Sequence, residues 1–442
     1  MASEEINTQV MSLGKASIPS PLAHAAGASR SKFISDDEGI LIHIHSEELE
    51  YYLYEGKKPP YFELAGPREK IYFDPSKLRC ALVTCGGLCP GLNDIIRAIV
   101  HELYHIYAVR NIYGIRYGLE GFIPKFGHKI MDLSPSSVSH ILDMGGSILG
   151  SSRGPQEIDE IVDCLERMNI GILFMIGGDG TLNAAVKIAD TILERKLKIS
   201  VIGIPKTIDN DIYLVSRSFG FDTAVEISTQ AILGAHNEAI GYPNGIGLIK
   251  LMGRHSGFIA ATATLAQEDV NFVLVPEVDF DLDGPNGFLS ALEARLASRG
   301  HAVVVVAEGA GQQYIENIAE DECDESGNIR LKDIGLFLKK IINRHFNANG
   351  MNISLKYIDP SYMIRSLPAN ANDSVFCGFL GRNAVHAGMA GKTKLLIGSW
   401  NNHFVHIPME SSAGKRKKVN PDGELWLAVL AATGQGPLKN SL

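Results

Sequence analysis

From about residue 80 onward, short apolar runs rich in β-branched residues recur: Cys80–Thr84, Gly171–Ile176, Val201–Ile204, Ile246–Met252, Phe272–Val275, Ala302–Ala307 and Lys394–Ile397. Segments with helical spacing separate them, among them one beginning near Asp94 and another at Leu182–Leu197. Near-continuous apolar runs predict strands covered on both faces, and their alternation with helices predicts an α/β fold with mainly parallel sheets. The first 35 residues are rich in Ala, Ser and Pro without periodicity, which predicts a disordered tail. Glu4 and Glu5 argue against a transit peptide there. Residues 40–79 hold short alternating or aromatic pieces, Leu41–His45 and Tyr51–Tyr54, and a turn-rich stretch, Lys57–Arg68. His43 and His45 alternate with Ile like a strand edge.

Composition narrows the function classes. A chain of 442 residues allows two or three domains, or one large bilobal one. No stretch reaches the ~18 apolar residues of a membrane span, so a soluble protein without a membrane partner is expected. The net charge of −9 argues against a broad nucleic-acid footprint but leaves room for a local phosphate pocket. Six cysteines (Cys80, Cys85, Cys89, Cys164, Cys323, Cys377) are too few for a disulfide scaffold and suit a reducing cytosol. Cys85 and Cys89 lie close together, but no further metal ligands accompany them. Glycine is the outlier, with 45 residues, or about 10% against a usual ~7%. Many of these glycines follow the predicted strands, where ligands sit in doubly wound sheets.

Four strand ends carry candidate chemistry. Cys85-Gly86-Gly87-Leu88-Cys89-Pro90-Gly91-Leu92-Asn93 precedes a helix, and bare backbone N–H groups at a helix start suit phosphate. Gly177-Gly178-Asp179-Gly180-Thr181 sets one carboxylate among glycines, able to reach Mg²⁺ while the backbone meets phosphate oxygens. Pro205-Lys206-Thr207-Ile208-Asp209-Asn210-Asp211 crowds a lysine, a hydroxyl and two carboxylates, a grouping that can supply a general base. Leu251-Met252-Gly253-Arg254-His255-Ser256-Gly257 follows a glycine with a guanidinium, a natural fork for phosphate. Together they describe a phosphoryl-transfer site.

One motif points elsewhere. His101-Glu102-Leu103-Tyr104-His105 matches the zinc-protease pattern H-E-x-x-H. At about 100° per residue, however, Ile95, Ile96, Ile99, Val100, Leu103 and Ile106 share one face, and both histidines project from the other. That face of a sheet-covering helix meets solvent, and no third ligand is evident.

With these residues in place, the chain closely resembles the 6-phosphofructokinase family across about residues 60–410. The resemblance rests on Gly86–Asn93, Gly145–Arg153, Gly177–Thr181, Pro205–Asp211, Met252–Gly257, Glu308 and Ile358–Arg365, in that order. Ala65–Arg68 and Ile71–Pro75 are similar to the ATP-dependent branch that holds plant and trypanosomatid enzymes. The resemblance implies two Rossmann-like lobes: an ATP/Mg²⁺ lobe of 80–220 with about 366–391, and a fructose 6-phosphate lobe of 221–365 with about 392–442. Residues 1–79 would form a partly disordered extension. It further implies that Asp209 is the general base for the sugar C1 hydroxyl, and that Asp179 holds Mg²⁺ on the donor phosphates. Gly86, Thr207, Arg153 and Arg254 would steady the transferring group, with Gly178, Gly180 and Thr181 also lining the ATP site. Met252, Gly253, Asp211 and Glu308 would contact the sugar, and Lys356, Tyr362 and Arg365 its 6-phosphate. Gly245 falls where bacterial relatives place a second arginine contributed by a neighbouring subunit.

Two positions bear on the phosphate donor. Pyrophosphate-dependent relatives carry Asp at the position of Gly180, where a carboxylate would collide with a nucleotide α-phosphate, so glycine favours ATP. Lys206 points the other way, since pyrophosphate enzymes also have Lys there. A steric and charge block excludes ATP whereas an added lysine need not, so ATP is the expected donor and pyrophosphate the alternative. A catalytically silent regulatory paralogue would be expected to lose Asp179, Asp209 or Asp211, and all three are intact. A lipid or NAD kinase would share only the Gly177–Thr181 turn. The resemblance also implies a homotetramer under allosteric control in glycolysis. Lys415–Lys418 reads as a solvated loop, and Asn440-Ser441-Leu442 matches a peroxisomal or glycosomal tripeptide too loosely to displace a cytoplasmic expectation.

Overall fold

The structure, a computed structural model, describes residues 6–24, 33–315 and 331–441. Glu4, Glu5, Cys323 and Leu442, on which parts of the sequence reading bear, lie outside the described residues. The chain divides into two compact units: Met1–Thr207, Ile212–Gly220 and Ser366–Lys415 in the first, Ile208–Asp211, Phe221–Arg365 and Arg416–Leu442 in the second.

The first unit is built on a nine-stranded sheet. Across it lie Gly39–Leu41, Tyr61–Leu64, His403–Pro408, Leu395–Trp400, Ser200–Pro205, Ile172–Gly177, Arg79–Thr84, Asn111–Ile115 and Met131–Asp132. The five strands from Leu395–Trp400 to Asn111–Ile115 are parallel, and antiparallel strands flank them on both sides. Ile172–Gly177 and Ser200–Pro205 are buried along their whole length, as their unbroken apolar sequence requires. Val83, Met175, Val201 and Leu396 pack with Leu182 and Ile188 of the helix Asp179–Glu194 on one side of this sheet. From Arg79–Thr84 the chain moves to Asn111–Ile115 on one flank and returns at Ile172–Gly177 on the other. The glycine turns after Arg79–Thr84 and Ile172–Gly177 therefore open at a topological switch point, where such sheets bind ligands.

The second unit holds a four-stranded, all-parallel sheet in the order Phe272–Leu274, His301–Ala307, Gly245–Leu251, Ser354–Ile358. Its core joins Leu248, Leu274 and Val304 to Phe288, Leu292, Leu338 and Phe346 from covering helices. The helix Phe221–Ile240 lies so close that a Cβ on Gly245 would stand 1.9 Å from the Ala239 carbonyl oxygen.

Several expectations are corrected. The boundary expected near 391 lies at Lys415, because Leu395–Trp400 hydrogen-bonds beside Ser200–Pro205 inside the first sheet. Residues 6–24, expected as tail, contain Met11–Ser12 paired with Lys392–Thr393 and Ile18–Pro19 paired with Lys70–Ile71. His43 and His45 are not on a strand edge; they follow Gly39–Leu41 and precede the helix Ser46–Tyr54. The helix Leu92–His101 widens into a π-turn at Glu102–Ile106, which leaves Ile106 39% exposed despite its place in the apolar stripe.

Candidate active site

The first two strand ends are joined through one lysine. Lys206 is buried; its backbone N–H donates to the Gly177 carbonyl (2.9 Å) and its ammonium to the Gly87 carbonyl (2.6 Å). Gly86 adopts φ +80°, and a Cβ there would lie 3.3 Å from the Lys206 ammonium. A side chain at Gly177 would overlap Thr181, and one at Gly178 would press on the Lys206 carbonyl at 3.3 Å. Gly180 differs, because nothing lies within 4 Å of where its Cβ would be. Its glycine is required neither by local packing nor by a left-handed backbone.

Asp179 is the first residue of the helix Asp179–Glu194, with Thr181 buried two residues on in the same turn. Among the described residues no three His, Cys, Asp or Glu side chains gather as a metal cage. The donor set at Asp179, one carboxylate beside bare glycine backbone, fits Mg²⁺ shared with phosphate oxygens, since that ion commonly takes only one or two protein carboxylates. Arg153 lies near the first turn, its guanidinium 3.6 Å from the Cβ position of Gly87. The Gly86 N–H, expected to face phosphate, donates here to the Ser152 carbonyl at 3.1 Å. Residues 151–153 must shift before that donor can meet a ligand.

In the second unit, Asp209, Asp211, Glu308, Arg254 and Arg365 share one electrostatic neighbourhood. Asn210 turns the loop between the two aspartates with φ +52°, a conformation asparagine tolerates well. The Ser256 hydroxyl donates to the Asp209 carbonyl at 3.1 Å. Oδ1 of Asp209 is shut off from solvent although the residue keeps some exposed surface. Burial, reinforced by Asp211 and Glu308 and opposed by Arg365, pushes the Asp209 carboxyl up to about 7. That is where a general base functions best near neutral pH. Burial likewise raises Glu308, against the pull of Arg365, Lys250 and Arg254.

Tight backbone approach positions these groups. Gly253 takes φ +124°, and the Gly309 N–H donates to its carbonyl at 3.1 Å. Met252 is buried beneath. The Lys356 ammonium sits 5.0 Å over the Tyr242 ring, and Tyr362 is 81% exposed. Gly245 cannot give way to an arginine without displacing the helix behind it. Thr207 closes the first unit's segment, and its carbonyl accepts from the Ser218 hydroxyl at 2.7 Å.

The basic run Lys415–Lys418 is not simply a solvated loop. Arg416 bonds the Asp211 carboxylate at 3.1 Å, and the Lys417 N–H donates to the Asp211 carbonyl at 2.7 Å. The partner of this run is some 200 residues away and no local pattern announces it. The zinc-protease match also dissolves. Glu102 is buried beside His386, 3.7 Å from its Nε2, while His105 is exposed. A carboxylate pointing inward from its two histidines cannot serve a metal-bound water.

Comparison with known proteins places this geometry. The Phosphofructokinase family profile matches residues 79–388. The chain is 50% identical over 439 residues to the ATP-dependent 6-phosphofructokinase of Borreliella burgdorferi, covering 98% of this chain and 97% of that protein. It is 44% identical to the Amycolatopsis methanolica protein of the same name, with 97% and 94% covered. Against ATP-dependent 6-phosphofructokinase 1 of Arabidopsis thaliana the identity is 43%, with 94% and 87% covered. Among solved structures, a pyrophosphate-dependent phosphofructokinase from Marinobacter aquaeolei superposes with a TM-score of 0.66 at 20% identity, covering 81% of this chain and 91% of that one. That likeness speaks to the fold alone. On its sequence and its fold together, the chain belongs to the phosphofructokinase family.

Proposed function

We infer that this protein is an ATP-dependent 6-phosphofructokinase, a phosphotransferase that moves the ATP γ-phosphoryl group to the C1 hydroxyl of fructose 6-phosphate. The observation that carries the reading is the enclosed Asp209 carboxyl held near neutrality among Asp211, Glu308, Arg254 and Arg365. A primary alcohol is a poor nucleophile at pH 7, and a positioned carboxylate contributes roughly 10²–10⁴-fold as general base. In its ionised form Asp209 accepts the C1 hydroxyl proton as the oxygen attacks phosphorus. Arg254 balances the charge that spreads over the equatorial oxygens of the transferring group. Thr207 and Arg153 assist from the donor side, joined by the Gly86 N–H once the Ser152 carbonyl releases it.

Asp179 would hold Mg²⁺, which when bound would neutralise charge on the donor phosphates. Gly178, Gly180 and Thr181 line the same turn, and the open space at Gly180 supports a nucleotide donor. Met252, Gly253, Asp211 and Glu308 orient the sugar, with Arg365, Lys356 and Tyr362 toward its phosphate. No helix among the described residues is long and apolar enough to cross a membrane. A cytoplasmic homotetramer working in glycolysis is the accompanying proposal.

The test is a coupled assay of fructose 1,6-bisphosphate formation with ATP or pyrophosphate as the only donor. Turnover with ATP and Mg²⁺ is expected. Turnover confined to pyrophosphate overturns the donor, and no turnover with either overturns the reaction.

A further inference from the structure

The catalytic loop is held by a segment that follows it by two hundred residues. The Arg416 guanidinium meets the Asp211 carboxylate at 3.1 Å, with 33% of the arginine side chain and 6% of the aspartate side chain exposed. The next residue grips the same aspartate through the main chain, the Lys417 N–H donating to the Asp211 carbonyl at 2.7 Å. The Lys417 ammonium then lies 5.1 Å over the Phe258 ring, at the start of the helix Phe258–Ala266. Two residues on, the Val419 N–H donates to the Glu277 carboxylate, which also accepts the Gly257 N–H. Residues 416–419 are thus fastened at three points, one of them Asp211, two positions from the base.

We propose that Arg416 is a positioning residue for phosphoryl transfer: it holds the Asp211 carboxylate and thereby fixes the charge that Asp209 experiences. The inference rests on the assignment of Asp209 as the base. The groups facing the two aspartates are known. Asp209 feels the charges of Asp211, Glu308 and Arg365 and accepts a hydrogen bond from the Arg254 backbone, while Asp211 faces Arg416, Lys417 and His255. Burial, Arg416, Arg254 and Lys418 lower the His255 pKa, and in the Arg416 variants burial, Arg254 and Lys418 still oppose its taking up a compensating charge near neutral pH. Lys417, pulled down to about 8 by burial, is a weaker substitute cation than an arginine. Without the guanidinium, the Asp211 charge acts on Asp209 less opposed, and the base must reach higher pH to ionise.

The experiment is the pH profile of kcat/KM for the full-length enzyme with ATP and fructose 6-phosphate. The variants are Arg416→Gln, Arg416→Met and Arg416→Lys, each with a thermal unfolding scan. Gln and Met should each move the acid limb upward by about half a pH unit or more. Lys, which keeps the charge, should leave the limb where the wild type has it. A merely structural arginine would lower activity at every pH and leave the limb unmoved. In an Asp211→Asn background, Arg416→Gln should shift the limb much less than it does alone. A Lys439→Gln control removes a cation paired with Asp281 and should move nothing. A folded Gln or Met variant with an unmoved limb overturns the proposal, as does an equal shift in the Asp211→Asn background. An inactive wild type would instead overturn the reaction assignment on which it rests.

Discussion

Gly180→Asp separates a change in donor use from a change in folding. The position is second in the helix Asp179–Glu194, its backbone lies outside the left-handed region, and nothing is within 4 Å of the added Cβ. Burial and strain therefore contribute no penalty. An acid in the first turn gains about 0.3–1 kcal/mol from the helix dipole, offset in part by repulsion from Asp179 beside it. Stability should stay within about 1 kcal/mol of wild type, a Tm change of no more than a few degrees. Toward ATP the effect is of another size. A carboxylate about 4 Å from a phosphate charge, at an effective dielectric near 20, costs about 4 kcal/mol. That corresponds to roughly a thousandfold in kcat/KM. Pyrophosphate has no α-phosphate bearing a nucleoside and escapes most of the repulsion. The assay is kcat/KM for both donors, alongside thermal unfolding. An ATP value within about threefold of wild type refutes the electrostatic argument. A large fall in Tm refutes the claim that the site is open.

Asp209→Asn should cut kcat by several orders of magnitude with little change in fructose 6-phosphate binding, checked by steady-state kinetics and calorimetry. In the wild type the working form of Asp209 is the ionised one, and its carboxyl is raised to about 7. kcat/KM should therefore fall about tenfold per pH unit below that value, and a flat profile down to pH 5 would remove Asp209 from the role. Glu63 accepts from Arg68 at 2.6 Å, Lys392 at 3.1 Å and His406 at 2.9 Å in a buried network. Glu63→Gln leaves the buried Arg68 and Lys392 cations to the largely exposed Asp36 carboxylate and should cost up to about 3–5 kcal/mol in urea unfolding at pH 7. His406, with Lys392 and Arg68, outweighs burial and lowers Glu63 from 4.5 to about 2. Its stabilisation is thus fully present above 4.5 and fades as pH falls toward 2, so the gap between variant and wild type should narrow at pH 3.5. Gly245→Ala sets a Cβ 1.9 Å from the Ala239 carbonyl oxygen and should destabilise by at least about 1–3 kcal/mol, read by the same unfolding.

The central strands were legible because each is an unbroken apolar run with glycine or proline at its exit. Cys80–Thr84 differs from the observed Arg79–Thr84 by one residue, and Val201–Ile204 from Ser200–Pro205 by one at each end. Which strands share a sheet was not legible, since apolar runs on two sheets look alike. The segment 392–415, which the resemblance placed with the second lobe, clusters with the first unit. Met11–Ser12 and Ile18–Pro19 join through main-chain pairing of two residues each, too short for any side-chain period to register. At the site, glycine positions marked the turns, but the reasons for the glycines differ. Gly177 and Gly245 are required by packing, whereas Gly180 is not. The Arg416–Asp211 pair was hidden because its partners are separated by most of the second unit's sequence.

The strand order of the first sheet also sets a schedule during synthesis. Gly39–Leu41 and Tyr61–Leu64 pair with each other, and their route into the sheet runs through His403–Pro408. That partner emerges about 340 residues after Leu64, which at ~5–20 residues per second means a wait of roughly 17–70 s. Through that interval a two-stranded ribbon, marginal by itself, presents an open edge and the ring of Phe62, which is fully buried once the fold is complete. Yield of the folded protein in a cell should accordingly depend on chaperones that hold nascent chains, far more than the stability of the finished molecule would suggest.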